Sequence, residues 1–327
     1  MAIFSSFPFQ VILAFSVVFA LTTYLMPLFL KLAQKYDFTD KPTERKKHDS
    51  PMPLSGGLAM FLAFLVGFCF FVIYRDPAMP VILIGAAMIV GVGLVDDYSK
   101  VKGKEFAVWP RLLVHIGAAS VAFAGGIRFT GFFNYFTGSY QYLPIVLQFI
   151  LTVLWIVGLI NVFNFMDGLD GLSGLLALVA GTTFFVVALH MGQPETAFLS
   201  AVFVATVLGF LRFNLPPAKV YMGDSGAYLL GFVLAAISLH GAFKQATVVS
   251  LLIPMLAMGV PIFDGMLVVA RRILARKPAH AADSSDITHL HFRLLKKGLS
   301  PKFIVLLIFL ISACLSLTSI ILQLTFN

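Results

Sequence analysis

Charge is what this chain has least of. Only 12% of its 327 residues are Asp, Glu, Lys or Arg, and fifteen of those are acidic. Soluble domains carry about twice that share, and a mean hydropathy of +0.95 excludes a water-facing surface over most of the molecule. Cysteine is nearly absent, and Cys69 and Cys314 both fall inside apolar runs. That excludes a disulfide framework and a thiolate zinc cage. No G-x-x-x-x-G-K-[ST] occurs, so a P-loop nucleotidase is excluded. There is no long low-complexity stretch, no convincing internal repeat and no polar segment long enough for a second domain, so residues 1–327 read as one membrane-embedded domain. The first apolar run lacks a charged n-region and a cleavage site, and it reads as a retained span.

What is present is apolar sequence in long runs. Ten lie near residues 8–32, 54–74, 79–95, 108–126, 143–160, 171–190, 196–212, 226–242, 248–270 and 303–325. A spanning helix takes about 20 residues, and lipid offers no partner to an unpaired backbone group, so spans of this kind are helical. The expected class is an all-α polytopic integral membrane protein with about ten transmembrane helices. Pro254 and Pro261 interrupt the ninth run and predict a bent span, which offers a lateral groove to a long lipid chain.

The net charge of +8 is distributed by side. With this span count, 20 of the 23 Lys and Arg fall on the loops after odd-numbered spans, and only Arg75, Arg128 and Lys244 fall on the other side. The positive-inside rule then places the odd loops in the cytoplasm and both termini outside. The positive balance is thus topology, with membrane lipid and not nucleic acid as its partner. Of the acids, Asp76 and Glu195 face outside. Asp96, Asp97, Asp167, Asp170, Asp224, Asp264 and Asp286 all reach the cytoplasmic side. That convergence points to a single site.

Residues 161–174, N-V-F-N-F-M-D-G-L-D-G-L-S-G, carry Asn161, Asn164, Asp167 and Asp170 at a spacing of three. On a helix or a loose 3₁₀-like turn this keeps the polar groups on one side. Two carboxylates at a membrane boundary are costly unless they bind something. Asp96–Asp97 end the third run, where helix C-termini disfavour acids. Adjacent carboxylates repel unless a cation or a proton resolves the conflict, and hard oxygens suit Mg²⁺ or Mn²⁺. In Y-M-G-D-S-G, Asp224 fits either a helix N-cap or a site residue at a helix start that receives phosphate. Arg45, Lys46, Lys47 and His48 precede Gly56–Gly57, and Arg272 ends the ninth run. Such residues serve topology or contact substrate phosphate. His289 and His291 sit beside Arg293; without cysteine they suit a diphosphate contact better than zinc.

Taken in order, D-K-P-x-x-R-K-K-H…P-L-S-G-G, G-L-V-D-D, N-V-F-N-F-M-D-G-L-D-G-L, Y-M-G-D-S-G and D-I-T-H-L-H-F-R-L-L resemble the motifs of the polyprenyl-phosphate N-acetylhexosamine-1-phosphate transferases, the superfamily that includes WecA, TagO and MraY. The likeness runs from about Asp40 to about Gly298 and is nearer the WecA type. It implies transfer of a sugar-1-phosphate, most simply GlcNAc-1-phosphate, from a UDP-N-acetylhexosamine to undecaprenyl phosphate, with release of UMP and use of Mg²⁺. UDP-sugars carrying QuiNAc, FucNAc, GalNAc or MurNAc-pentapeptide are the alternative donors. Surface polysaccharides such as O-antigen would lie downstream.

By the same resemblance Asp96, Asp97 and Asp224 are the catalytic and metal-binding acids. Asn164, Asp167, Asp170 and Tyr221 bind the nucleotide, and Lys47, His48, Arg272, His289 and His291 bind phosphate groups. Phe292 stands where the WecA pattern has a further histidine, and the loop between Lys277 and Asp286 is longer than usual. A homodimer is left open. The rival from another class is an ion-coupled transporter, which predicts acids near mid-membrane and paired repeats; neither is evident.

Overall fold

The computed structural model describes residues 6–40, 51–134, 137–241, 248–274 and 289–326. Lys47, His48 and the loop between Lys277 and Asp286 lie outside the described residues, and of Arg272 only the backbone is described. Nearly all of the rest is helix. In order these are α1 (Phe7–Lys35), α2 (Gly56–Phe71), α3 (Met79–Val101), α4 (Val108–Ala124), α5 (Ile145–Met166), α6 (Leu172–His190), α7 (Pro194–Asn214), α8 (Gly223–His240), α9 (Val248–Ala257), α10 (Gly259–Leu274), α11 (Leu290–Lys296) and α12 (Pro301–Phe326). Two small antiparallel ladders complete it: β1 (Thr39–Asp40) with β2 (Met52–Pro53), and β3 (Gly131–Asn134) with β4 (Ser139–Tyr142).

Each apolar run of the sequence therefore forms a helix, the ninth as two pieces. Among the described residues six helices (α1, α3, α5, α6, α7 and α12) are long and apolar enough to cross a membrane. The chain is a multi-pass, all-α membrane protein. The apolar helices α2 and α4 are shorter, at 16 and 17 residues.

The break in the ninth run falls at Met258, between α9 and α10. Pro261 has no N–H to give to the Ala257 carbonyl and its ring crowds that group, so one straight helix cannot pass through. As the third residue of α10 the same proline is harmless, because the first N–H groups of a helix lack intrahelical partners anyway.

The hub is α8. Every residue from Asp224 to His240 is buried, and α3, α5 and α2 pack around it. A helix apolar on all sides belongs in the interior, and the fully buried Phe232, Phe64, Phe163 and Tyr228 fill the space about it. The only charges on α8 lie in its first and last turns, so the surrounding helices bring their polar ends to those two places.

Candidate active site

The first turn of α8 is where several motifs of the sequence meet. Four N–H groups at a helix start lack intrahelical partners, and here two of them find an acceptor on another helix. Asp97, near the end of α3 and fully buried, accepts from the Asp224 N–H at 2.7 Å, the Ser225 N–H at 3.1 Å and the Ser225 hydroxyl at 2.8 Å. Gly223 has φ +68° and a side chain there would run into the Asp97 carboxylate, so glycine is required twice over. The start of α2 is fixed to the same place: the Gly56 and Gly57 N–H groups donate to the carbonyls of Tyr221 and Met222, each at 3.0 Å. Gly57 lies against Ser225 and Gly226 with no room for a Cβ. P-L-S-G-G and Y-M-G-D-S-G are thus two halves of one junction.

Asp96 turns away from its neighbour. Its Oδ2 accepts from Arg111 Nη1 at 2.7 Å and from the Tyr228 hydroxyl at 3.1 Å. Asp224 Oδ2 pairs with Lys100 Nζ at 2.6 Å, and its Oδ1 accepts from Asn164 Nδ2 at 3.0 Å. The two carboxylates lie in each other's field. The adjacent acids of α3 therefore divide their work: Asp96 faces Asp224 across the site, while both oxygens of Asp97 are engaged by backbone and hydroxyl donors.

The turn between α5 and α6 forms the next wall. Helix α5 continues to Met166, so Asn161 and Asn164 are helical and Asp167 caps the end. Asn161 donates to its own helix at the Val157 carbonyl, 2.7 Å away, and takes no part. Asp167 accepts from the Ser173 hydroxyl at 2.7 Å, and burial pushes its carboxyl up to about 7. Asp170 accepts from the Ala218 N–H at 3.0 Å. Asn214 ties Gly171 N–H to the Val220 carbonyl, which joins this turn to the approach to α8. Tyr221 stands beside them; burial and the charges of Asp170, Asp40 and Asp167 raise its phenol to about 12.

The histidines close the far side. His289 Nδ1 pairs with Asp264 Oδ2 on α10 at 2.7 Å, and the other Asp264 oxygen accepts from the Leu290 N–H at 2.7 Å. His291 is fully buried, its ring stacked 5.9 Å from that of His289 and seated against Gly168. Among the described residues neither of its ring nitrogens has a partner. Burial and the neighbouring His289 lower it to about 4, so it is a neutral imidazole with one donor and one acceptor to offer. Phe292 packs on it, with ring centroids 4.2 Å apart.

Asn164, Asp96, Asp97, Asp167, Asp170, Tyr221, Asp224, His289 and His291 are thus brought to one end of the bundle. Sequence reasoning left out Lys100, Arg111, Tyr228 and Asp264. The i,i+4 spacing of Asp96 to Lys100 and of Asp224 to Tyr228 was the available signal for two of them. Asp264 was read only as one of the acids converging on the cytoplasmic side, since its pairing with a residue 25 positions away leaves no spacing signal.

The donor set suits a hard divalent cation that keeps its waters. Mg²⁺ binds through one or two carboxylates together with substrate phosphates, and Asp96 and Asp224 offer that. Among the described residues no three His, Cys, Asp or Glu side chains form a closed metal cage, which does not suit structural zinc.

Comparison with known proteins agrees with this geometry. The model of glycosyl transferase family 4 matches residues 79–242, from the start of α3 to the end of α8. A Bacillus subtilis protein named "Probable undecaprenyl-phosphate N-acetylglucosaminyl 1-phosphate transferase" is 36% identical over 314 residues, which cover 96% of this chain and 85% of the relative. The Escherichia coli K12 undecaprenyl-phosphate alpha-N-acetylglucosaminyl 1-phosphate transferase is 26% identical over 91% of this chain and 80% of its own length. A phospho-N-acetylmuramoyl-pentapeptide-transferase of Symbiobacterium thermophilum is 28% identical over 67% of this chain and 69% of its own length. The chain belongs to glycosyl transferase family 4.

Proposed function

We propose that this enzyme transfers N-acetylglucosamine-1-phosphate from UDP-N-acetylglucosamine to undecaprenyl phosphate and releases UMP. The observation that carries the reading is the meeting of Asp96 and Asp224 with Lys100, Arg111 and a histidine wall at one end of a membrane bundle. Two phosphorylated substrates bring several anionic oxygens together, so charge neutralisation is the main demand on the site. The lipid phosphate attacks the β-phosphorus, the bond from that phosphorus to the bridging oxygen breaks, and UMP leaves with the electron pair. A phosphomonoester is mostly dianionic at neutral pH, its second pKa being about 6, so a general base is dispensable.

In this reading Asp224 and Asp96 hold Mg²⁺ or Mn²⁺, which when bound would neutralise phosphate oxygens. Lys100 and Arg111 stand ready for the same oxygens. Asp97 fixes the helix start that carries Asp224. Asp167, Asp170 and Tyr221 flank the nucleotide, and His289, oriented by Asp264, and His291 face the diphosphate. Lys47, His48 and Arg272 are proposed phosphate contacts from the sequence pattern alone.

A donor panel with purified protein in undecaprenyl-phosphate-containing nanodiscs tests the assignment. UMP release is expected with UDP-N-acetylglucosamine, dependent on the lipid and on a divalent cation. Faster turnover with UDP-MurNAc-pentapeptide or UDP-N-acetylgalactosamine would reassign the sugar.

The charge distribution supports ten crossings with the site in the cytoplasm and both termini outside. In a Cys69→Ser, Cys314→Ser background, a cysteine placed at Thr325 is expected to react with a membrane-impermeant maleimide in intact cells. Labelling only after lysis would invert the topology.

A further inference from the structure

Tyr228 is a large polar side chain sealed into the hub helix near its start. It is 1% exposed and stands one turn beyond Asp224 on α8, so both side chains point to the same face. Its hydroxyl is 3.1 Å from Asp96 Oδ2 and 3.5 Å from Asp224 Oδ2. The cations nearby are each tied to one acid, Arg111 to Asp96 and Lys100 to Asp224. Among the described residues Tyr228 is the side chain whose hydrogen bonds reach both carboxylates.

The ring is held from behind. His115, also 1% exposed, meets it edge-on with centroids 4.8 Å apart and planes at 75°. His115 lies one turn beyond Arg111 on α4, so a single face of α4 grips both the acid and the tyrosine. Among the described residues His115 Nε2 has no hydrogen-bond partner, and the ring is in contact with the tyrosine.

The chemistry of the bridge matters. A lysine or arginine spanning two carboxylates would neutralise them and repel a divalent cation. A phenol donates a hydrogen bond and adds no charge, so the orientation of the pair is set without a further cation beside Arg111 and Lys100. Resting on the phosphotransfer reading above, we propose that Tyr228 is a positioning residue that fixes the Asp96 and Asp224 carboxylates relative to one another, so that both serve one cation and the phosphates bound to it.

The test compares Tyr228→Phe, which keeps the ring and its contact with His115, with the unaltered protein. Mn²⁺ affinity is measured by paramagnetic resonance without substrate, and kcat, KM for UDP-N-acetylglucosamine and the melting temperature are measured alongside. The expected result is Mn²⁺ binding weakened at least fivefold and kcat lowered at least tenfold, with KM changed less than twofold and the melting temperature unmoved. Mn²⁺ affinity within twofold of the unaltered protein would overturn the proposal. So would a lower melting temperature with kcat unchanged per folded molecule, since the hydroxyl would then serve the fold alone. If the unaltered protein binds Mn²⁺ but turns over no UDP-sugar, the reaction fails, and the Mn²⁺ comparison still judges Tyr228.

Discussion

Replacing Asp224 with asparagine is expected to lower kcat by about a thousandfold, at the upper end of what the loss of one preorganised charge costs in a phosphoryl or acyl transfer site. The substitution is isosteric, so the Asn164 and Lys100 side chains keep their neighbour, but they then face a neutral amide instead of a carboxylate. The start of α8 does not depend on this group, because its first N–H groups are taken by Asp97. Melting temperature and membrane yield should therefore stay close to those of the unaltered protein while Mn²⁺ binding disappears. Retention of more than a tenth of the UMP-release rate would remove Asp224 from the chemistry.

Asp97→Ala is expected to fail in a different way. It strips the acceptor from two buried N–H groups and one hydroxyl at the heart of the bundle. Each buried polar group left unpaired costs about 1–3 kcal/mol, and the helix start also loses a favourable anion. A fall in melting temperature on the order of 10 °C should accompany the loss of activity. Comparing the two variants by thermal unfolding separates the acid that holds the site together from the acid that acts in it. Equal stability of the two would contradict the division of labour between Asp97 and Asp224.

The helices were legible because length and hydropathy decide what can lie in a bilayer, and each apolar run became a helix. The site was legible as a set of motifs because loops at one end of a bundle have few places to go. Individual contacts were not legible. The three-residue period of residues 161–174 suggested one polar face, yet α5 runs on to Met166 and Asn161 turns back to the Val157 carbonyl. Lys100 and Arg111 read as topological charges, and both proved to be carboxylate partners, since charge counting ignores which helix face a residue occupies. The adjacent acids Asp96 and Asp97 suggested a shared cation; successive helical positions point about 100° apart, and the two carboxylates meet different hydrogen-bond partners. Asp264 and His289 are paired only by tertiary packing. The ladders of β1 with β2 and β3 with β4 are too short to leave an alternating pattern.

The most direct measurement of the central claim follows the phosphorus. With UDP-N-acetylglucosamine labelled at the β-phosphorus, undecaprenyl phosphate and Mg²⁺, the label should pass into the organic-soluble lipid while unlabelled UMP appears in equal amount. Label retained in released UDP, or liberated as inorganic phosphate, would show that a different bond is broken and would contradict sugar-phosphate transfer by this chain.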